Sequence, residues 1–208
     1  AGLDVSELRT ASEKAARLIT VETKRVDQGH QLMNPGAMVL FEDSNKSELM
    51  KDFASCFQGT STGDNPRFVM NYWEVAKTQQ FDLMEGVPNS TLTYTGKQYL
   101  IKWRDIETFS GAAIRGHEAF GKPGISIGQM RELPASLYVG NKFPNTTPVI
   151  VPNSRDYLSA LWTFCSTRNF SVELRKINQK LSVDNGYVSN VPFDLVYWTK
   201  VAQEKYPS

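Results

Sequence analysis

The sequence predicts a mixed α+β fold, β-rich in its centre and flanked by N- and C-terminal helices, and three features of it carry that prediction. Apolar residues recur at helical spacing near the N-terminus and again after residue 153. Between these regions Gly and Pro cut the chain into short β-branched and aromatic runs. With 208 residues, 40% hydrophobic and 22% charged, the chain can bury a core sufficient for one globular domain or two packed halves, unlike a disordered segment.

The elements follow in order. Asp4 and Glu7 form a capping-box pattern, and Val5, Leu8, Ala15, Leu18, Ile19 and Val26 share one helical face, which predicts a helix over residues 5–27. GHQLMNPG breaks it, and the apolar run MVLF follows. Ser47 is placed to open a second helix, ELMKDFASCF, which Gly59 ends. From STGDNPRF to Val151 the runs NYWEV, TLTY, QYLIKW, GISI, SLYVG and PVIV read as strands joined by long loops. Asn153 or Ser154 caps a helix bearing Tyr157, Leu158, Leu161, Trp162 and Cys165, and Phe170, Leu174, Ile177 and Leu181 continue a second one. Asp-Asn-Gly at 184–186 reads as a turn. Asp194 caps a last helix, with Phe193 as the outer residue of a hydrophobic staple. The expected organisation is a helical N-terminal segment over 1–60, a β-rich core over 61–152 and a helical part over 153–208 that packs on the core or docks a partner.

Composition narrows the chemistry. No apolar stretch approaches membrane-spanning length, and the expectation is a soluble, cytoplasmic protein with no membrane partner. Cys56 and Cys165 lie among apolar residues, as reduced packed thiols do. His30 and His117 are too few and too isolated for a structural zinc site. Net charge is +1, yet residues 97–142 carry 7 Lys/Arg against 4 Asp/Glu, a local excess of three positive charges. The first residues, AGLDVSEL, lack an initiating methionine, as a processed product or a piece of a larger protein would.

Two stretches imitate catalytic motifs. Residues 107–113, ETFSGAA, approximate the acidic-x-Phe-x-Gly-x-Gly loop that holds S-adenosylmethionine, but Ala113 stands where backbone must approach the cofactor without a Cβ. Asn190-Val191-Pro192-Phe193 approximates the Asn-Pro-Pro-Tyr/Phe motif that grips a flipped adenine, but Val191 removes one of the prolines that stiffen it. Only 15 residues follow Phe193, fewer than the remainder of a methyltransferase fold would need. Gly111 to Gly116 has phosphate-loop spacing but continues into His117 rather than Lys-Ser/Thr. The expectation is a chain without catalytic residues.

EKAARL (13–18), QLMNPGAMV (31–39), FASCFQGTSTGDNPRFVMNYWEV (53–75), KPGISIGQMRELPASLYVGNKFPNTTPVIVP (122–152), YLSALWTFCST (157–167) and INQKLSVDNGYVSNVPFDLVYW (177–198) point elsewhere. Together they resemble the C-terminal target-recognition region of large single-chain N6-adenine DNA methyltransferases of restriction-modification and phage-defence systems. That region is in turn similar to the target-recognition domains of type I restriction specificity subunits. In the family an Asn-Pro-Asp usually stands where this chain has Asn34-Pro35-Gly36. The resemblance implies a non-catalytic, sequence-specific double-stranded DNA recognition module. It implies that no cofactor is held in this chain, and that S-adenosylmethionine and the true catalytic motif belong to a methyltransferase domain in cis or in trans.

Reading duplex DNA requires cations and amides on phosphates, and Arg, Lys, Asn, Gln or aromatic residues in a groove. Arg104, Arg115, His117 and Gln129 are the candidate base readers, with Lys97, Lys102, Lys122 and Lys142 on phosphates and Arg131 in the same basic segment. The turn Thr62-Gly63-Asp64-Asn65-Pro66-Arg67 adds Arg67. Trp73, Trp103, Trp162 and Trp198 have apolar neighbours and read as core. The analogy with type I specificity subunits implies that residues 154–181 are a spacer and docking arm, whereas the competing expectation is a protein–protein assembly module of a DNA-modification or phage-defence complex, in which the apolar helical ends assemble a larger complex and the basic loops are incidental.

Overall fold

The computed structural model describes residues 1–5, 7–32, 34 and 48–207. Two compact units divide the chain, Ala1–Lys46 and Ser47–Ser208. The first holds helices α1 (Ala11–Thr20) and α2 (Gln28–Leu32). Helix α1 is shorter than the predicted 5–27, because Thr10 and Glu13, rather than Asp4 and Glu7, form the capping box and Val21 turns extended. Gly2 and Lys24 then exchange a pair of backbone hydrogen bonds at 3.0 Å, which commits both flanks of the helix to extended backbone. The MVLF run and Ser47 lie outside the described residues.

The second unit is α+β. Its elements are α3 (Met50–Phe53), β1 (Ala54–Phe57), α4 (Asn65–Phe68), β2 (Val69–Asn71), β3 (Asp82–Met84), β4 (Tyr99–Ile101) and α5 (Trp103–Glu107). There follow β5 (Gly124–Ile127), β6 (Ala135–Tyr138), β7 (Val149–Pro152), α6 (Leu158–Cys165), α7 (Arg168–Ile177), α8 (Asn185–Val188) and α9 (Leu195–Lys205). The strands form an antiparallel sheet of order β1-β7-β5-β6 and a smaller antiparallel sheet of order β2-β4-β3.

The predicted helix ELMKDFASCF is corrected here: its first turn is α3, and ASCF is strand β1, paired residue for residue with Val149–Pro152. Side-chain alternation explains the switch. Ala54 and Cys56 face the helical core while Phe57 turns to the opposite face, and the pairing to β7 outweighs the helical pattern that FASCF shows in isolation. Three further expectations shift locally. NYWEV ends as a strand at Asn71 and tightens into a turn at Tyr72–Glu74. Asp-Asn-Gly opens the one-turn helix α8, with Asp184 as its N-cap residue. Helix α7 stops at Ile177, leaving Leu181 exposed.

Both faces of the larger sheet are covered. Ile125, Ile127, Ala135 and Ile150 pack under α6, α7 and α9, meeting Leu161, Phe164, Phe170, Leu174 and Trp198. Tyr138, Val149 and Val151 point the other way and pack with Ala119 and Phe143. The outer edge of β6 is protected by the TLTYT segment, where Leu137 N–H donates to the Thr93 carbonyl at 3.0 Å and Thr95 N–H to Ser136 Oγ at 3.0 Å. The helices of 153–208 therefore cap this unit's own sheet.

The NVPF stretch finds its role in this core. Val191 and Phe193 are buried, Pro192 bridges Leu49, and the Phe193 ring packs edge-on to Phe53 at 5.6 Å and tilted on Phe164 at 5.4 Å. Asp194 Oδ1 accepts from Tyr197 N–H at 2.8 Å, capping α9 as the sequence predicts. Phe193→Ala is therefore expected to destabilise the unit by about 3–5 kcal/mol, read by chemical denaturation, whereas Val196→Ala, on an 80% exposed residue of the next turn, leaves stability nearly unchanged. Equal effects of the two would contradict this packing.

Candidate nucleic-acid interface

Arg115 and the turn that follows it are positioned by one junction. Segment 58–62 runs between the 113–116 loop and the 143–145 loop: Thr60 N–H donates to the Phe143 carbonyl at 2.9 Å, and Asn145 N–H donates to the Thr60 carbonyl at 3.0 Å. On the other side Ser61 and Ala113 exchange backbone bonds of 3.0 and 2.8 Å. Gly59 allows the approach, since a Cβ there would collide with the carbonyl oxygens of Phe143 and Pro144.

Arg115 is held from this junction at its backbone and at its tip. Thr60 Oγ1 donates to the Arg115 carbonyl at 3.1 Å and accepts from its N–H at 3.2 Å, while Arg115 Nη1 donates to Gln58 Oε1 at 3.1 Å. The side chain is exposed. Gly116 follows at φ +79°, sending the chain into the turn that carries His117.

His117 is also exposed, with its ring edge-on to Phe120 at 5.6 Å and to Trp103 at 6.5 Å. Beneath it Lys142 Nζ lies 4.0 Å from the Phe120 centroid and 4.3 Å from that of Trp103, a cation–π contact with two rings. Trp103 Nε1 donates to Glu107 Oε1 at 2.8 Å. The ETFSGAA stretch thus ends α5 and packs against the 62–68 turn: Gly111 lies against Gly63, and Phe109 stacks on Phe68 with centroids 5.2 Å apart. On that surface the Arg67 guanidinium sits 4.9 Å from the Phe68 centroid and 5.3 Å from that of Phe109. Asp64 caps the turn by accepting from Arg67 N–H at 3.3 Å.

The other candidates are distributed as follows. Arg104 is exposed on α5, and Lys102, just before it, reaches over Phe81 at 5.8 Å. Exposed Lys122 borders a cavity of about 350 Å³ shared with Ser55, Phe57, Val151, Pro152 and Asn153. Gln129 and Arg131 lie toward the helical layer, where their carbonyls accept from Val183 N–H at 3.0 Å and Arg175 Nη2 at 3.1 Å. Arg67, Lys102, Arg104, Arg115, His117 and Lys142 are thus linked through the small sheet, α5 and the junction, and Gln129 and Arg131 are not part of that group.

Lys97 is engaged inside the unit. Its ammonium pairs with the fully buried Glu85 carboxylate and donates to the Leu137 carbonyl at 2.7 Å, while Asn141 Nδ2 donates to Glu85 Oε1 at 3.3 Å. Glu85 follows β3, Lys97 precedes β4 and Leu137 belongs to β6, so the pair ties the small sheet to the large one. Burial pushes the Glu85 carboxyl above its ordinary value of 4.5, against the opposing pull of Lys97 and Asn141.

Sequence reasoning missed Gln58, whose contact with Arg115 spans 57 residues and leaves no local pattern. It also assigned Trp73 to the core; Trp73 is 62% exposed, stacked edge-on with Tyr72 at 5.0 Å, because β2 ends before it. The remaining tryptophans are buried or half-buried. Burial pushes the Cys56 thiol up to about 12 and raises that of Cys165. Among the described residues no group of three or more His, Cys, Asp or Glu is arranged to hold a metal ion, and no helix is long and apolar enough to cross a membrane. No family model matches the chain, and no curated protein matches it.

Because the Glu85 carboxyl is raised in the folded state, its ionisation opposes folding: its contribution to stability is full below pH 4.5 and declines as pH rises through the folded value. The stability difference, Glu85→Gln minus wild type, is therefore expected to shift in favour of Gln between pH 4 and pH 8 in parallel urea titrations. A difference that is constant would show that the ion pair with Lys97 balances desolvation, and one that moves the other way that it outweighs it.

Proposed function

We propose that this chain is a DNA target-recognition module of an N6-adenine DNA methyltransferase or restriction-modification protein. It binds double-stranded DNA and leaves the chemistry to a catalytic domain in cis or in trans that carries the S-adenosylmethionine. One observation carries the reading: four exposed side chains of base-reading or phosphate-binding type, Arg67, Arg104, Arg115 and His117, are joined through one set of loops, and three of them rest on aromatic rings or bond the Gln58 amide. Guanidinium groups oriented before binding lose less freedom on contacting a base edge or phosphate, which favours specificity over general adhesion. A net charge of +1 fits this division, since affinity then depends on these local contacts and weakens steeply with salt.

Within this reading Lys102 and Lys122 serve phosphates beside the group. Lys142 supports the aromatic floor, Lys97 holds the two sheets together, and Gln129 and Arg131 support the helical layer. The module works beside the cytoplasmic DNA it reads and has no membrane partner.

A second reading, assembly within a DNA-modification or phage-defence complex, is favoured by the exposed Tyr72–Trp73 pair and by Val196 and Tyr197 on α9, residue types that anchor protein interfaces. Selection of bound duplexes from a randomised library, at low and at roughly physiological salt, separates the two. Enrichment of one short motif is expected from the folded chain. Absence of any enriched motif at low salt would overturn target recognition and favour assembly.

A further inference from the structure

We infer that Arg115 reads a guanine through the Nε–Nη2 edge of its guanidinium, and that Gln58 is the positioning residue that selects this edge; the inference rests on the target-recognition reading. A guanidinium can present two forks to the O6 and N7 acceptors of guanine, the end-on pair Nη1–Nη2 or the side-on pair Nε–Nη2. Gln58 Oε1 accepts from Nη1 at 3.1 Å, which sets a side chain against one nitrogen of the end-on fork. Among the described residues no hydrogen-bond partner is found for Nε or Nη2, and the side chain is exposed. The side-on fork remains for a ligand.

The arrangement is rigid at both of its origins. Thr60 bonds both the N–H and the carbonyl of Arg115, and Gly59 and Thr60, directly after Gln58, are pressed against Phe143 and Pro144. A Cβ on Gly116 would strike the Gln58 carbonyl and the Phe143 ring, so the two chain segments approach at backbone distance. Gln58 and Arg115 are therefore carried on one fixed platform, and their side chains meet without crossing a flexible span. A planar donor pair held in this way matches the two acceptors of guanine in the major groove, whereas adenine offers one acceptor and one donor there and repels it.

The test uses the purified chain and the duplex motif that it selects. Wild type is expected to require a guanine at one position, and 7-deazaguanine there, which lacks the N7 acceptor, should weaken binding roughly ten-fold. Arg115→Ala should flatten the preference at that position alone and become indifferent to 7-deazaguanine. Gln58→Ala should reduce the same preference severalfold with an unchanged melting temperature, whereas Gln58→Glu, which keeps the acceptor, should retain the preference while weakening binding to all sequences alike. If wild type selects a motif that Arg115→Ala leaves unchanged, or if the position affected is not a guanine, the inference fails while target recognition stands. If Gln58→Ala alters all positions equally, or melts the chain at lower temperature without changing the guanine preference, Gln58 is structural and its positioning role is overturned. If wild type selects no motif, both readings fall together.

Discussion

Thr60 is the point on which the candidate interface depends. Its backbone bonds the 143–145 segment, its hydroxyl bonds both main-chain groups of Arg115, and its neighbour Ser61 pairs with Ala113. A buried threonine in irregular structure would normally leave polar groups to satisfy; here satisfying them joins three loops that lie far apart in sequence. Gly59 and Gly116 let these loops meet at backbone distance, and the exposed cations project from the result. Loops that bind are most useful when a rigid scaffold fixes them, and here the fixing is done by the main-chain and hydroxyl hydrogen bonds of Thr60 rather than by length of strand.

Beneath the loops, the two sheets are coupled by a polar contact as well as an apolar one. Phe120 packs with both the small-sheet cluster and the cluster on the outer face of the large sheet. From the Glu85–Lys97 pair beside the small sheet, Lys97 bonds across to the Leu137 carbonyl of the large one. A carboxylate with no solvent exposure stabilises little by itself, because the loss of hydration offsets most of the attraction to its partner. Its value is orientational: Glu85 has its acceptors filled by Lys97 and Asn141, and Lys97 also bonds the β6 carbonyl of Leu137, so the register between the sheets is set by directional contacts. One cation of the basic segment is thereby drawn partly inward, and its neighbours on α5 and the 115–117 turn are left to face solvent.

How much of this was legible in the sequence differed by element. Local chemistry carried its own signature where capping and apolar spacing agreed, as at Asp194 before α9; Ser154 caps the single turn Arg155–Tyr157 that leads into α6 rather than α6 itself. The FASCF stretch defeated local reading because its apolar residues fit a helix face as well as a strand, and only the distant PVIVP segment decides between them. At the N-terminus two competing caps were present, and the Thr10–Glu13 box is the one used. Within the candidate interface, residue type singled out Arg115 and His117 only as candidates, and charge alone could not separate Lys97, drawn inward by Glu85, or Lys142, drawn onto Trp103 and Phe120, from cations that remain exposed. Gln58 and Thr60 were illegible because their roles arise from tertiary contacts across more than fifty residues.

As the proposed target-recognition module, the protein would contact DNA through the surface built around the 58–67, 102–104 and 115–117 segments. Hydrogen-exchange mass spectrometry of the chain, with and without a mixed-sequence duplex pool at low salt, tests that contact most directly. The account predicts that protection on binding concentrates in peptides covering those segments and leaves α7 and α9 unaffected. Protection confined to the helical layer, or none at a duplex concentration that saturates binding, would contradict it.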